Sequence, residues 1–554
     1  MSDELKHECA VAMAILSKPP SAGGDFGGTK LSLLLEKQHN RGQDGAGAAI
    51  LRADPEPGDE PYWIAKSASP TPLADVLGAI GRRTVCGNER IFLGHLRYAT
   101  FGKNDTAFCH PFVHEAEELG RTLLLAGNFN LTNAAELFEE HRRSGAFPTS
   151  RSDGYLVCET IARELAHADG AETPPTVAAL KRALEHADGA WMLCGATADG
   201  WAFAARDPHG IRTGWYFAGE NAIAIASERP AIQAAFDTGP EEVKELPPGH
   251  ALVVSPEGEA KIFDISGKRA EIRPCSFERI YFSRANDADI HQERKALGAA
   301  LVPKILETAD APMEDIFFSY IPNSARIAFH GLLEKLFATV AGTVPRFGEI
   351  AVKDAKFRTF IADAAARREF YKHVYDVTYG LVRPGRDTLV VLDDSIVRGN
   401  TMKNAILPML DRLGPKRIVI ASSAPPVRYP DCYGIDMSTL GELVAFRALA
   451  GLLGDGAGDE LRRSAASGEA NPLARLYASF SEEEHCAEIA RLLTPPEMKA
   501  EVKVVYQTVN ALHAACPGSS GDWYFTGEYP TPGGYGVLAK ALTNYLEHKS
   551  ERSY

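Results

Sequence analysis

Two adjacent aspartates follow a short apolar run in the second half of the sequence. Residues 388–392 read TLVVL and lead directly into Asp393 and Asp394. Such a run predicts a strand buried on both faces, and ligands of open parallel sheets bind beyond the carboxyl ends of the strands. Carboxylates at that position can hold ribose hydroxyls or bind a divalent cation that bridges to a diphosphate. An acidic turn that caps the next helix is the structural alternative.

The loop after these aspartates carries the residue types of a phosphate site. It reads SIVRGNT and supplies Gly399 for backbone freedom, with Ser395, Asn400 and Thr401 as hydroxyl and amide partners. The following segment, TMKNAILPMLDRLG, predicts a helix whose N-terminal amides would face an anion. The stretch therefore predicts a phosphate-binding loop.

A cysteine near the start of the chain could act as a nucleophile. Cys9 follows an eight-residue polar leader and precedes the strand-like run AVAMAIL. Removal of the leader would expose the α-amine of Cys9, which could serve as the base for its own thiol. A buried structural cysteine is the alternative.

Composition limits the classes of protein to which the chain can belong. With 554 residues and 45% hydrophobic content, it is large enough for two or more cores. The formal net charge of −14 argues against a nucleic-acid or membrane-surface partner. The start does not fit a secretory signal, and no run approaches the ~20 apolar residues of a membrane span. We therefore expect a cytoplasmic protein whose nine cysteines are reduced thiols, a catalytic thiolate or metal ligands.

The chain changes character once along its length. From Cys9 to about residue 265, short apolar runs alternate with turn residues and predict hairpins, with loops at 198–200 and 219–221. From about 290 to 425, helical patterns alternate with apolar runs, the order of βαβ units and a parallel sheet. The segment from 451 to 500 opens Gly-rich and turns helical, which predicts an appended segment.

Several motifs together resemble one enzyme family. VVLDDSIVRGNT (390–401) resembles the signature of type I phosphoribosyltransferases, in the version found in glutamine phosphoribosylpyrophosphate amidotransferases. Other segments resemble that family in the family's order: QHNRGQDGAG (38–47), GHLRYATFG (94–102), GNFNLTN (127–133), RSDG (151–154), CSFERIYFSR (275–284), IHQERKALG (290–298), FRTFI (357–361), SSAPPVRYPDCYGIDMST (422–439) and YFTGEYPT (524–531).

The resemblance implies a fold and a domain order. We expect an α+β N-terminal nucleophile hydrolase sandwich (αββα) followed by an α/β type I phosphoribosyltransferase domain. The expected segments are a removable leader at 1–8, a glutamine amidotransferase domain at 9–265, a phosphoribosyltransferase domain at 266–450 and a C-terminal helical extension at 451–554.

Within the matching motifs of the first domain, the charge and length of the side chains suggest which residues bind glutamine and which act in catalysis. Cys9 is the expected nucleophile, and the Asn128 side-chain amide can donate to the oxyanion formed on glutamine. Arg97 offers a fork of donors for the glutamine α-carboxylate, and Asp153 a negative partner for its α-ammonium. Each has a structural alternative: an ordinary ion pair for Arg97 or Asp153, and a turn residue for Asn128.

In the second domain the resemblance implies contacts to phosphoribosyl pyrophosphate and to Mg²⁺. Asp393 and Asp394 are the expected magnesium ligands. Arg358 lies in what the family uses as a mobile flap, although it could equally be a plain surface arginine. The expected phosphoribosyl pyrophosphate contacts are Asp393, Asp394, Ser395, Arg398, Gly399, Asn400, Thr401 and Arg358.

The family also raises the question of an iron–sulfur cluster. Some members bind one through four cysteines, the last two closely spaced. Cys275 and Cys432 fall at matching positions, but only Cys486 and Cys516, thirty residues apart, are available for the close pair. Four thiolates could ligate a cluster, yet buried or incidental cysteines explain them as well, and we do not favour it. The resemblance further suggests purine nucleotides as feedback inhibitors and a homo-oligomer.

The sequence thus predicts a glutamine-dependent amidophosphoribosyltransferase. It would convert glutamine and phosphoribosyl pyrophosphate to 5-phosphoribosylamine, glutamate and pyrophosphate, the first step of de novo purine synthesis. Three residues depart from the family pattern: Ala10 and Phe129 replace glycines, and Ala325 replaces a hydroxyl residue. Phe129 would add bulk near the substrate, and positive φ would strain it. The alternatives are an ammonia-only transferase and a phosphoribosyl-pyrophosphate-binding regulator with a lapsed glutaminase site.

Overall fold

The computed structural model describes residues 8–17, 25–99, 105–168, 173–267, 270–340, 342–353, 375–549 and 551–553. Within these ranges no helix combines the length and the apolar composition that crossing a bilayer requires. Arg358 and the segment FRTFI (357–361) lie outside the described residues.

The first half of the chain contains mostly strands. They are β1 (Ala10–Leu16), β2 (Gly45–Arg52), β3 (Tyr62–Ser67), β4 (Glu89–Arg97), β5 (Phe112–His114), β6 (Leu123–Leu131), β7 (Gly189–Thr197), β8 (Ala202–Arg206), β9 (Trp215–Ala218), β10 (Ala222–Ala226), β11 (Val243–Glu245), β12 (His250–Val254) and β13 (Ala260–Asp264). The helices are α1 (Phe26–Lys37), α2 (Pro72–Arg82), α3 (Ala134–Arg143), α4 (Asp153–Leu165), α5 (Pro175–Leu184) and α6 (Arg229–Phe236).

The second half alternates helices and strands. The strands are β14 (Ile316–Tyr320), β15 (Arg346–Phe347), β16 (Ala351–Lys353), β17 (Tyr375–Val377), β18 (Thr388–Asp393), β19 (Arg417–Ser422) and β20 (Glu501–Tyr506). The helices are α7 (Ala288–Ala300), α8 (Val302–Ala309), α9 (Arg326–Thr339), α10 (Leu407–Asp411), α11 (Val444–Leu453), α12 (Ala457–Ala465), α13 (Ala474–Ala478), α14 (Glu482–Leu493), α15 (Val509–Ala515), α16 (Trp523–Thr526) and α17 (Pro532–Leu546). Single π-helical turns cover Glu278–Phe282 and Met402–Ile406.

Two antiparallel sheets of the first half pack face to face. Their strand orders are β11-β9-β10-β1-β4-β2-β3 and β13-β12-β8-β7-β6-β5. Val11 and Met13 of β1 contact the second sheet, whereas Ala12 and Ala14 face the outer helices. Because side chains alternate along a strand, β1 is buried on both faces and is apolar at every position. Helices α1, α2 and α6 cover the first sheet and α4 and α5 the second, which gives four layers. The predicted hairpins β7–β8 and β9–β10 are confirmed.

A parallel sheet organises the second half. Its strand order is β15-β14-β18-β19-β20, and β18 lies in the middle with β14 and β19 as parallel neighbours. Residues of β18 alternate between two cores: Leu389 and Val391 face one, and Val390 and Leu392 the other. The predicted doubly buried strand at TLVVL is therefore confirmed, and Asp393 stands at its carboxyl end.

The segment after residue 450 is not purely helical, so that prediction is wrong. Strand β20 pairs in parallel with β19, from Arg417 opposite Glu501 to Ser422 opposite Tyr506. The alternation of polar and apolar residues that predicts a strand is weak here, because EVKVVY is charged at one end and apolar at the other. A sheet edge exposes unpaired backbone groups, and β20 satisfies those of β19.

The C-terminal helices also belong to a core shared by both halves. Val537 and Leu538 of α17 share one apolar cluster with Phe446, and this cluster includes Ala190 and Ile211 of the first half. The segment is thus integrated into the fold, not appended to it.

Candidate functional site

Cys9 lies at the entrance to β1, between the two sheets of the first half. The neighbouring strand β4 places Leu96 opposite Ala10, which brings the backbone of Tyr98 to the thiol. The Tyr98 N–H donates to the Cys9 Sγ at 3.2 Å. Burial raises the pKa of the Cys9 thiol to about 11, although the nearby Arg212 and Arg97 act in the opposite direction. At neutral pH this thiol requires a base to become a nucleophile.

Asn128 approaches the same point from the second sheet. It lies on β6, where Leu124 and Ala126 face the space between the sheets, and strand alternation turns the Asn128 side chain the same way. Its Nδ2 lies 3.4 Å from Oε2 of Glu8, the residue that precedes Cys9. The structure therefore places the predicted oxyanion donor against the side chain of the residue that precedes the predicted nucleophile.

The two predicted glutamine-binding residues stand at the ends of two elements that belong to different layers, β4 of the first sheet and α4 over the second. Arg97 ends β4, is 4% exposed and lies 5.7 Å from the centre of the Phe108 ring. Asp153 begins α4, and its Oδ1 accepts from the Gly154 N–H at 2.9 Å. Burial raises the pKa of Asp153 to about 6, against the effect of the backbone donors at this helix start.

Phe129 does not crowd this site, which corrects the expectation from sequence. Its ring points to the opposite face of β6 from Asn128 and packs with the α4 and α5 layer. Gly127 and Gly154 make room for it: a Cβ on Gly127 would lie 2.7 Å from the ring, and one on Gly154 3.1 Å. Phe129 is not among the residues with positive φ, so its backbone is not strained there.

A buried cluster of five charged side chains lies beside Cys9. The Arg41 guanidinium donates to Glu228 at 2.8 Å and to Glu278 at 2.6 Å, and it lies 3.5 Å from Glu8. Glu8 also pairs with Arg212. Burial raises the pKa of Glu8 above its usual value, whereas Arg41 holds the pKa of Glu278 below its usual value despite burial.

Sequence reasoning missed this cluster. Its members come from both halves of the chain, so no local spacing pattern could have revealed it.

The predicted phosphate loop lines a cavity of about 780 Å³ at the carboxyl end of β18. Asp394 accepts from the Ser395 hydroxyl at 2.9 Å and from the Ser324 hydroxyl. Burial and the adjacent Asp394 raise the pKa of Asp393 well above its usual value, and burial also raises that of Asp394. Two carboxylates that are this difficult to ionise together fit a site for a divalent cation, which would stabilise their charged forms.

The other predicted loop residues divide into two groups. Ser395, Gly399 and Thr401 line the cavity, whereas Asn400 is exposed and is not part of the lining. Gly399 has φ of +79°, and a Cβ there would lie 2.3 Å from Leu493, so glycine is required. Arg398 lines the cavity, but its guanidinium donates to Glu442 and to the Asp436 carbonyl, both at 2.7 Å.

Three arginines of the cavity were not predicted individually. Arg284, Arg294 and Arg326 line it together with the loop. Burial lowers the pKa of Arg294 to about 10, so it stays charged at neutral pH. Arg284 and Arg294 fall within the family-like segments YFSR and HQER, which was the available signal.

The same cavity is lined from the first half of the chain. Asn40 and Gln43, from the loop before β2, line it together with the loop after β18. The Asn40 Nδ2 donates to the Phe282 carbonyl at 3.2 Å, which ties the two halves together at the rim.

Ala325, which stands where the family has a hydroxyl residue, is fully buried in the core beside α9. Its neighbour Ser324 supplies a hydroxyl to Asp394 instead. The absence of a hydroxyl at 325 therefore does not leave Asp394 without one.

The four candidate cluster cysteines do not form a group. Cys275, Cys432 and Cys516 lie in one apolar core, and Cys486 packs against another. The Cys275 Sγ lies 3.4 Å from the Tyr524 hydroxyl. Among the described residues, no set of three or more His, Cys, Asp or Glu side chains is placed to hold a metal ion.

Comparison with known proteins gives a consistent result. The chain is 32% identical over 422 residues to an amidophosphoribosyltransferase of Pasteurella multocida, covering 74% of this chain and 78% of that protein. It is similar to the structure of the Bacillus subtilis glutamine phosphoribosylpyrophosphate amidotransferase complexed with ADP and GMP, with a TM-score of 0.67, 26% identity and coverage of 94% and 97%. A structure described as the allosteric regulatory enzyme of purine biosynthesis gives a TM-score of 0.68 at 26% identity, with coverage of 94% and 96%. No family model matches the chain.

Proposed function

The chain belongs to the amidophosphoribosyltransferase family, which catalyses the first step of purine biosynthesis, and we propose that Cys9 and the cavity at Asp393 divide this reaction between them. Glutamine is cleaved at Cys9, and the ammonia is used in the cavity to make 5-phosphoribosylamine. The observation that carries the proposal is the shared lining of that cavity, to which Asn40 and Gln43 of the first half and Asp393 and Asp394 of the second all contribute.

The first half is proposed to be an N-terminal nucleophile hydrolase sandwich, residues 9–265. Its four layers and the position of Cys9 at the start of a central strand support this assignment. The α-amine of Cys9 must be free to act, so the leader 1–8 has to be removed. In the unprocessed chain the Glu8 carboxyl lies against Asn128.

Glutamine hydrolysis would then proceed through a thioester. The free α-amine takes the thiol proton, Cys9 Sγ bonds to the amide carbon, and the oxyanion accepts from Asn128 Nδ2. The C–N bond breaks as the amine returns the proton to the leaving nitrogen, which departs as ammonia. Water hydrolyses the thioester to glutamate. Arg97 and Asp153 are proposed to hold the substrate's α-carboxylate and α-ammonium.

The transferase half is proposed to span residues 266 to the end of the chain, since β20 belongs to its sheet. Ammonia attacks C1 of the ribose and pyrophosphate leaves, with Ser395, Gly399 and Thr401 around the phosphates. Asp393 and Asp394 fit as ligands of Mg²⁺, which when bound would offset the charge of the pyrophosphate. Arg294 and Arg326 add fixed positive charge near the same groups, and Arg358 remains a proposed flap residue.

Regulation and assembly are proposals of the same kind. The Bacillus subtilis structure contains ADP and GMP, which supports purine nucleotides as feedback inhibitors of this chain. A homo-oligomer and a cytoplasmic location stay predictions from the sequence.

The division of labour is tested by replacing Cys9 with alanine. Glutamine-dependent synthesis should fall by about 10⁶-fold, because the nucleophile is lost, while synthesis from ammonium salts at high pH persists. Cys194→Ala, which changes another buried cysteine of the same half, is the matched control and should retain both activities. A Cys9→Ala protein that still uses glutamine at a comparable rate would refute the role of Cys9.

A further inference from the structure

Strand β6, which carries Asn128, is paired with β7 along its length but has no strand partner at Gly127 on its β5 side. Strand β5 pairs with β6 only from Phe112 opposite Leu125 to His114 opposite Leu123. Continued by two residues, this register would place His110 opposite Gly127. His110, the residue that would exchange hydrogen bonds with Gly127, lies outside β5, which begins at Phe112. The N–H and C=O of Gly127 on this side would therefore be buried without strand partners.

Two histidine side chains replace the missing strand. The His95 Nε2 lies 3.0 Å from the Gly127 carbonyl oxygen, and the Gly127 N–H donates to His110 Nδ1 at 3.1 Å. The two imidazole rings stack with centres 4.0 Å apart and planes 10° from parallel. Both backbone groups of Gly127 are therefore satisfied, and neither is left buried without a hydrogen-bond partner.

The hydrogen bonds fix the protonation of both rings. A carbonyl oxygen can only accept, so His95 carries its proton on Nε2. A backbone N–H can only donate, so His110 presents an unprotonated Nδ1. Burial lowers the pKa of His95 to about 3 and that of His110 well below its usual value, in agreement with two neutral rings.

The pair also connects the two elements that form the glutaminase site. His95 lies on β4, where it is opposite Val11 of β1, two residues after Cys9. Gly127 lies on β6, immediately before Asn128. The hydrogen bond from His95 to Gly127 therefore joins β4 of one sheet to β6 of the other, next to the strand positions of Cys9 and Asn128.

We propose that His95 and His110 are positioning residues that hold the peptide before Asn128, so that its Nδ2 meets the oxyanion formed at Cys9. The inference rests on the proposed roles of Cys9 and Asn128. A displaced oxyanion donor affects the transition state more than the bound substrate. Loss of either histidine should thus lower kcat for glutamine by about 10–100-fold and leave KM nearly unchanged.

Amide side chains of different length distinguish this role from simple packing. Asparagine places its oxygen near the position of a histidine Nδ1, and glutamine places its amide nitrogen near that of Nε2. His110→Asn and His95→Gln should therefore recover most of the kcat lost in His110→Leu and His95→Leu. The crossed variants His110→Gln and His95→Asn place the hydrogen-bonding amide atom too far from or too near the backbone, so they should not recover the lost kcat.

The measurements are glutamine hydrolysis, with kcat and KM separated, and ammonia-dependent synthesis in the full-length chain. Ammonia-dependent synthesis should stay at the wild-type level in every variant. His141→Leu, at a buried histidine on α3, is the control for loss of an imidazole from the same half. It should keep kcat within about twofold of wild type.

Two results would overturn the inference: kcat within twofold of wild type in both leucine variants, or equal losses in the matched and crossed amide variants. If the leucine variants do not fold, the comparison of matched with crossed amides decides alone. Glutamine use by Cys9→Ala would instead refute the proposed function. If Cys9→Ala does not hydrolyse glutamine but the histidine variants hydrolyse it at the wild-type rate, only the positioning role is refuted.

Discussion

Replacement of Phe129 by alanine should destabilise the first half of the protein without accelerating glutamine cleavage. The ring packs on the helix side of β6, away from Asn128, so its removal opens a cavity beside α4 and gives the substrate no additional space. Fully buried Phe→Ala changes cost about 3–5 kcal/mol. Phe129 is only partly buried, so we expect about 2–3 kcal/mol, a fall in Tm of about 5–10 °C for a unit of this size.

A double-mutant cycle with Gly127 tests the packing directly. A Cβ on Gly127 would meet the Phe129 ring and Leu193, each at 2.7 Å. Gly127→Ala should therefore cost about 1–3 kcal/mol in the wild-type background. With Phe129→Ala already present, one of the two close contacts is gone. The cost should then fall by about half, a coupling of about 0.5–1.5 kcal/mol.

Thermal or denaturant unfolding of the full-length chain measures these values, and the glutaminase rate is followed in the same proteins. Phe217→Ala is the matched control, because Phe217 is a partly buried ring on β9 in the outer layer of the other sheet. Its effect should add to that of Gly127→Ala without coupling. A higher rate of glutamine cleavage in Phe129→Ala would show that the ring lies on the substrate side. Additive effects of Phe129→Ala and Gly127→Ala on stability would show that the ring does not pack against Gly127.

Three further predictions concern charged groups. Asp393→Asn and Asp394→Asn should each reduce Mg²⁺-dependent transfer strongly while glutamine hydrolysis stays measurable, and full 5-phosphoribosylamine synthesis in both would contradict the cation site. Arg41→Met should lower the free energy of unfolding by about 3–5 kcal/mol, because it leaves buried carboxylates without their cation. Arg142→Met, which removes an exposed ion pair, is the control and should lower the free energy of unfolding by less than about 1 kcal/mol. Protonation of Asp153, whose raised pKa is about 6, removes the charge that binds the substrate's α-ammonium, so kcat/KM for glutamine should rise with pH through about 6. A pH profile of kcat/KM that is flat between pH 5 and 7 would exclude that role.

The sequence by itself determined the elements whose signals are local. The doubly buried run TLVVL predicted β18, and the two aspartates at its end predicted a ligand site, because a parallel strand always presents its carboxyl end at the same edge of the sheet. The glycine of the SIVRGNT loop was predictable for the same reason: positive φ at Gly399 is a property of a few adjacent residues. The order of family-like motifs supplied the candidate residues around Cys9.

Tertiary structure alone decided what those residues face. Whether Phe129 crowds the substrate depends on which side of β6 it occupies, and that is fixed by packing against α4, not by its neighbours in sequence. Arg398 looked like a phosphate ligand within its motif, but its guanidinium is held by Glu442 and the Asp436 carbonyl, some forty residues later.

The long-range contacts show the physical reason most clearly. Arg41 meets Glu278 across 237 positions, and His95 and His110 meet at Gly127 only because two sheets stack and β5 begins at Phe112, short of Gly127. A buried charge or backbone group must find a partner wherever the fold provides one. Sequence spacing encodes the periodicity of each element, but the partners of buried polar groups are determined by how the elements pack in three dimensions.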